Sequence, residues 1–343
     1  MPSLPQYLTR FLVSLLLCLV ISFGARGSAQ HIFHLTNGLT SAEVPFRLVK
    51  DLIVVEVMLG GKKPLNFILD NGTSNPVIFQ SNYLQGLKLD LGPRIFFRGV
   101  GDGKAVKARV IPEISLHLSG VAADRLGMVV LDHNPFGRLA YGDTEIHGVL
   151  GATLFRSFIT EIDYPNRSIR FHQHESFICP VNYQSLPMKV VKGKPYLNVR
   201  IQGVDAELSA NLMLDLGFNN SLLLQLPDSL LNQFLIKPRI SKIGMGYSGN
   251  VKGKSGKVTS VQIGTQFFEE VETMSPFTRS FPDQPQNDLI QRRGSVGNTL
   301  FQHTSIILNY PDEQFYYASP RQYIADETTS ETEHDQLEKE VLF

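Results

Sequence analysis

Two aspartates in this chain of 343 residues, Asp70 and Asp215, share one setting: an apolar run before, then one residue, then a glycine. The stretches read Phe67-Ile68-Leu69-Asp70-Asn71-Gly72 and Leu212-Met213-Leu214-Asp215-Leu216-Gly217. Each apolar run predicts a strand that delivers its carboxylate to the mouth of a loop, where Gly72 or Gly217 lets backbone N–H groups come close. If the two loops meet, the carboxylates lie side by side, cannot both ionise, and share one proton. The ionised member then takes a proton from a water, the water attacks an amide carbonyl, and the protonated member supports the developing oxyanion. That chemistry requires no metal and no cofactor.

Other chemistries find less in the sequence. There is no Gly-rich phosphate loop leading into Lys-Ser/Thr and no Gly-x-Ser-x-Gly nucleophile turn. His172 and His174 are two apart and would share a strand face, but no third metal ligand lies nearby, so a surface strand is the simpler reading. Asn71, Asn166 and Asn219 each open an Asn-x-Ser/Thr triplet. Glycans on the first and third would block the proposed site, and the triplets are read as chance matches. Lys252, Lys254 and Lys257 are read as a solvated hairpin rather than an anion site.

The elements that must position the aspartates are strands. From Phe46 onward, short Val, Ile, Leu and Phe runs such as Leu52 to Leu59 and Ile111 to Leu118 alternate with Gly, Pro, Asn and Asp, which makes the class mainly β. Leu154 to Phe158 and Leu222 to Phe234 are the candidates for short helices. The 145-residue offset between the aspartates recurs: Gly99-Val100-Gly101 returns as Gly244-Met245-Gly246. At 146, Gly148-Val149-Leu150-Gly151 returns as Gly294-Ser295-Val296-Gly297, and Ile162-Asp163-Tyr164-Pro165 as Leu308-Asn309-Tyr310-Pro311. Solenoid repeats run at about 20 to 50 residues, so a period this long indicates a duplicated domain. The lobes are expected at 31–178 and 185–323, joined near Cys179-Pro180.

This ordered set is what carries a resemblance. Each half resembles a retropepsin-type subunit, and the chain resembles the two-lobed, pepsin-like aspartic peptidases of the bacterial exported type. The resemblance implies two homologous β lobes with a cleft between them and Asp70 and Asp215 as the catalytic pair. Asn71, Gly72, Thr73, Ser74 and Gly217 would support the loops. Gly99, Gly101 and Gly103, with Gly244 and Gly246, would belong to flaps over an extended peptide or protein substrate. The family's Thr or Ser after each aspartate is replaced by Asn71 and Leu216, and Leu has no hydrogen-bonding side chain. The usual reciprocal lattice between the loops is therefore not expected, and Asp215's loop, with Phe218 and Asn219, is where activity would fail. Two alternatives stand beside a peptidase: a peptide-binding homologue with weak or no turnover, and a structural β protein with coincidental Asp-x-Gly turns.

Lys plus Arg equals Asp plus Glu at 32 each, so no global field favours nucleic acid or an anionic membrane. Arg10, the apolar run from Phe11 to Phe23 and the small residues Gly27 to Ala29 have the anatomy of a signal peptide over 1–29, with an uncleaved anchor as the alternative. Removing it leaves Cys179 as the one cysteine, hence no intramolecular disulfide, and Cys179 reads as a small buried apolar residue. The expectation is an exported monomer, periplasmic or extracellular, with no membrane contact after cleavage. The stretch from Asp326 to Phe343, with seven acidic residues and one Lys, reads as a solvated tail within 324–343.

Overall fold

In a computed structural model, the chain is described over residues 32–61, 64–137, 141–277 and 293–318. The expected signal segment and acidic tail lie outside the described residues. The protein is mainly β, and among the described residues the helical segments are only short turns.

The first half closes a ring of six strands. Leu52–Leu59 pairs with Leu65–Leu69, which runs parallel to Gly148–Leu150. The ring continues through Val77–Ile78, Val121–Leu131 and Val106–Leu118, and returns to Leu52–Leu59. The second half repeats it: Lys194–Gln202, Glu207–Asp215, Gly294–Gly297, Leu222–Leu224, Gln266–Pro276 and Gly249–Ile263, which closes on Lys194–Gln202. Register is repeated with topology. Ile68 faces Val149 and Leu69 faces Leu150, as Met213 faces Ser295 and Leu214 faces Val296.

A layer of six strands joins the halves. Ser41–Pro45, Ser168–His172 and Ile159–Asp163 come from the first half, and Ser305–Asn309, Gln314–Ala318 and Tyr183–Val191 from the second. They meet where Ile162 faces Ile306. Cys179 and Pro180 lie in the connection that precedes Tyr183, and Cys179 is half-buried rather than enclosed.

Local chemistry accounts for several boundaries. Lys50 and Asp51 both have positive φ, 46° and 64°, as a two-residue hairpin turn of the primed type requires between Arg47–Val49 and Leu52–Leu59. The stretch Leu222 to Phe234 is not one helix. Leu222–Leu224 is a wholly buried ring strand, and only Asp228–Leu231, begun after Pro227, turns helically. The expected helix at Leu154 to Phe158 is found as Ala152–Ser157. Leu69 and Leu214, each immediately before an aspartate, are 0% exposed. Burying such a side chain is worth about 1.5–3 kcal/mol, which pins the backbone from which each carboxylate projects.

Candidate active site

Asp70 leaves its strand with its N–H donated to the Leu150 carbonyl at 3.0 Å, so the neighbouring parallel strand fixes where the loop begins. Its carboxylate accepts from the Gly72 N–H at 2.7 Å, the Thr73 N–H at 3.3 Å and the Thr73 hydroxyl at 2.7 Å. Asp215 accepts from the Gly217 N–H at 3.2 Å, the counterpart of the Gly72 contact. Phe218 stands where Thr73 stands in the first loop, so the second loop offers no hydroxyl there. Both aspartates are half-buried. Ser74 is exposed and does not join this network, which corrects its expected supporting role.

The glycines explain how the loops come together. A Cβ on Gly217 would lie 2.3 Å from the Asp70 Cγ, so only a glycine lets the second loop press against the first carboxyl. A Cβ on Gly72 would lie 2.9 Å from Asp70 Oδ1 and 3.2 Å from Asp215 Oδ1. One glycine thus lies against a carboxylate oxygen of each aspartate, which brings the two loops to the same place.

Asn71, expected as support for its own loop, also links the two loops. It is 0% exposed, accepts the Leu216 N–H at 2.9 Å through Oδ1, and donates through Nδ2 to the Leu214 carbonyl at 2.9 Å. One amide, having both donor and acceptor, thereby ties the first loop to the backbone on both sides of Asp215. Leu216 contributes packing instead and is 0% exposed in the main core. Burial of Asn71 also closes its Asn-x-Thr triplet to glycosylation.

Three tyrosines near the site were not singled out by type and spacing. Tyr310 brings its hydroxyl within 3.4 Å of Asn71 Nδ2, and burial pushes its phenol well above the usual range. Its counterpart Tyr164 hydrogen-bonds the side chain of Asn298. The signal was present, since both tyrosines occupy the same place in the repeated Asp/Asn-Tyr-Pro landmark. Tyr247, at the turn of the second hairpin, crosses to the first half and packs on Phe79 and Phe136 at ring-centroid distances of 6.3 and 5.5 Å. Burial, and then the Asp70 charge, push its phenol well above the usual range.

The expected flap glycines form a closed bridge. Ser248 donates its N–H to the Val100 carbonyl at 3.0 Å, Gly103 donates to the Ser248 carbonyl at 2.6 Å, and Asp102 donates to the Asn250 carbonyl at 2.9 Å. The Gly99 N–H reaches Ser248 Oγ at 3.2 Å. Cβ atoms on Gly101, Gly103 and Gly246 would fall 2.6, 2.4 and 2.2 Å from backbone atoms across the bridge. Gly244 meets nothing within 4 Å and lies at an irregularity in its strand, outside the bridge.

His172 and His174 form no shared site: His172 pairs with Glu161 at 3.0 Å and His174 with Asp312 at 3.1 Å. Among known proteins, no family model matches the chain and no curated sequence matches it.

Proposed function

We propose that the protein is an aspartic endopeptidase of the two-lobed, pepsin-like type, with Asp70 and Asp215 acting as one acid–base pair. The observation that carries this reading is that Asp70 Oδ1 and Asp215 Oδ1 both lie against Gly72, while Gly217 of the second loop presses on the Asp70 carboxyl. A water held between the two carboxylates loses a proton to the ionised one as its oxygen attacks the peptide carbonyl carbon. The protonated carboxyl donates to the carbonyl oxygen as charge develops, and collapse of the tetrahedral species passes a proton to the departing amine. The repeated rings supply the two lobes, and the joining layer holds them. The hairpin bridge must part for an extended chain to enter, and closing it again excludes water from the reaction.

A second reading, a peptide-binding homologue without turnover, is favoured by one feature: the second loop carries Phe218 where the first carries Thr73, whose hydroxyl bonds Asp70. The experiment that separates them is digestion of a peptide library by the exported chain, with mass-spectrometric readout. On the peptidase reading, Asp70→Asn and Asp215→Asn each abolish cleavage. Cleavage that persists in both variants would overturn it. Library binding without products, in a chain that melts normally, would favour the second reading.

A further inference from the structure

The two hairpins that meet above the carboxylates carry cations that this chemistry does not use. Residues 91–112 hold five Lys or Arg and one acid, Asp102, and residues 236–257 hold six and no acid. In the first hairpin Arg94 faces Arg109 and Phe96 faces Lys107, while Val106 and Ala108 are buried on the opposite side. In the second, Lys242 faces Lys252 and Ile240 faces Lys254, with Gly253 and Val251 buried on the opposite side. Like charges directly opposite one another weaken a strand pair. Each hairpin nevertheless keeps such a pair, and Lys107 and Arg109 recur as Lys252 and Lys254 at the 145-residue offset.

Lys254 is answered by Asp228 at 3.2 Å. Arg94, Lys107, Arg109, Lys242 and Lys252 have no acidic partner among the described residues. Phe96 and Ile240, set among these cations, are 75% and 73% exposed. A purely charged polyanion such as polyglutamate would answer the cations and leave the two apolar side chains in water. An anionic lipid surface answers both, because the cations meet headgroups while the apolar side chains enter the interface.

We infer that the outward faces of these hairpins dock the protein on an anionic lipid surface, with the cationic strand faces toward the headgroups. The inference departs from the membrane-free expectation raised by the zero net charge, and it does not depend on the catalytic reading.

The test is co-sedimentation of the chain without residues 1–29, which keeps every described residue, with lipid vesicles. Equal phosphatidylcholine and phosphatidylglycerol should bind it, phosphatidylcholine alone should not, and added salt should weaken the binding. Lys107→Glu with Lys252→Glu should lower partitioning by at least about tenfold. Phe96→Ser with Ile240→Ser, which leaves the charge unchanged, should also lower it, with melting curves confirming that both variants are folded. Failure to bind the mixed vesicles at low salt would overturn the inference. So would equal binding to phosphatidylcholine, or an unchanged affinity of the serine variant together with tight binding to polyglutamate, which would mark a simple polyanion site.

Discussion

The side-chain oxygen of Asn71 lies 2.9 Å from the backbone nitrogen of Leu216, and the two residues occupy the same position in the two repeats. One side chain at a repeated position thus serves both copies: Asn71 bonds to the backbone on either side of Asp215, and Leu216 is freed to pack in the core.

Replacing Asn71 with Ala removes the buried acceptor of the Leu216 N–H and the donor to the Leu214 carbonyl. A loss of about 1–3 kcal/mol in urea denaturation is expected, with a larger fall in any cleavage rate because the loops lose their alignment. Asn71→Thr keeps one hydroxyl in reach and should be milder.

Leu216→Thr, which would bring the second loop closer to the common family pattern, is expected to harm the protein. It places a hydroxyl at a site with 0% exposure inside the apolar cluster. A cost of about 1–3 kcal/mol in denaturant melts, with no gain in turnover, is the expected result.

Gly217→Ala should disable the site while the fold survives, since its Cβ would fall 2.3 Å from the Asp70 carboxyl carbon. Gly72→Ala meets side-chain atoms at 2.9 Å and beyond, so the neighbours have less to yield. Cleavage assays and thermal melts on the pair should rank Gly217→Ala as the more damaging to activity.

Gly246→Ala and Gly103→Ala should part the hairpin tips, because their Cβ atoms would meet the Val100 and Ser248 carbonyl oxygens at 2.2 and 2.4 Å. Hydrogen exchange at the Ser248 and Gly103 amides is expected to quicken while exchange in the ring strands is unchanged. Equal protection in the variants and the parent would count against the bridge.

Stability should fall between neutral and mildly acidic pH through His147. Burial holds its imidazole below the ordinary range, against the pull of Glu145 at 3.8 Å. Its Nδ1 also accepts the Asn66 N–H at 2.9 Å, which needs the neutral ring. The unfolded chain takes up this proton near pH 6.5 and the folded chain only lower. In that window the unfolded state binds more protons, so stability is full above about pH 6.5 and drops as pH falls toward the folded value. Thermal melts across this range should show the drop in the parent and not in His147→Asn, whose amide oxygen can stand in for Nδ1.

Much of this protein was legible as a linear pattern. Apolar runs broken by turn residues specify a β protein whatever the tertiary arrangement, and the 145-residue offset pairs Asp70 with Asp215 because duplicated strands need duplicated landmarks. What the sequence could not decide were the contacts between copies. Asn71 looked like partial support and Leu216 like a defect, because a hydrogen bond across 145 residues leaves no mark in local spacing. Ser74 looked useful by type but points to solvent, and the hairpin glycines looked like free flaps although their lack of a Cβ is what lets two backbones touch. Equal numbers of acids and bases excluded a global field, yet strand register gathered cations onto two hairpin faces. Composition sums charge over the whole chain, whereas pairing and side-chain alternation decide which charges face the same way.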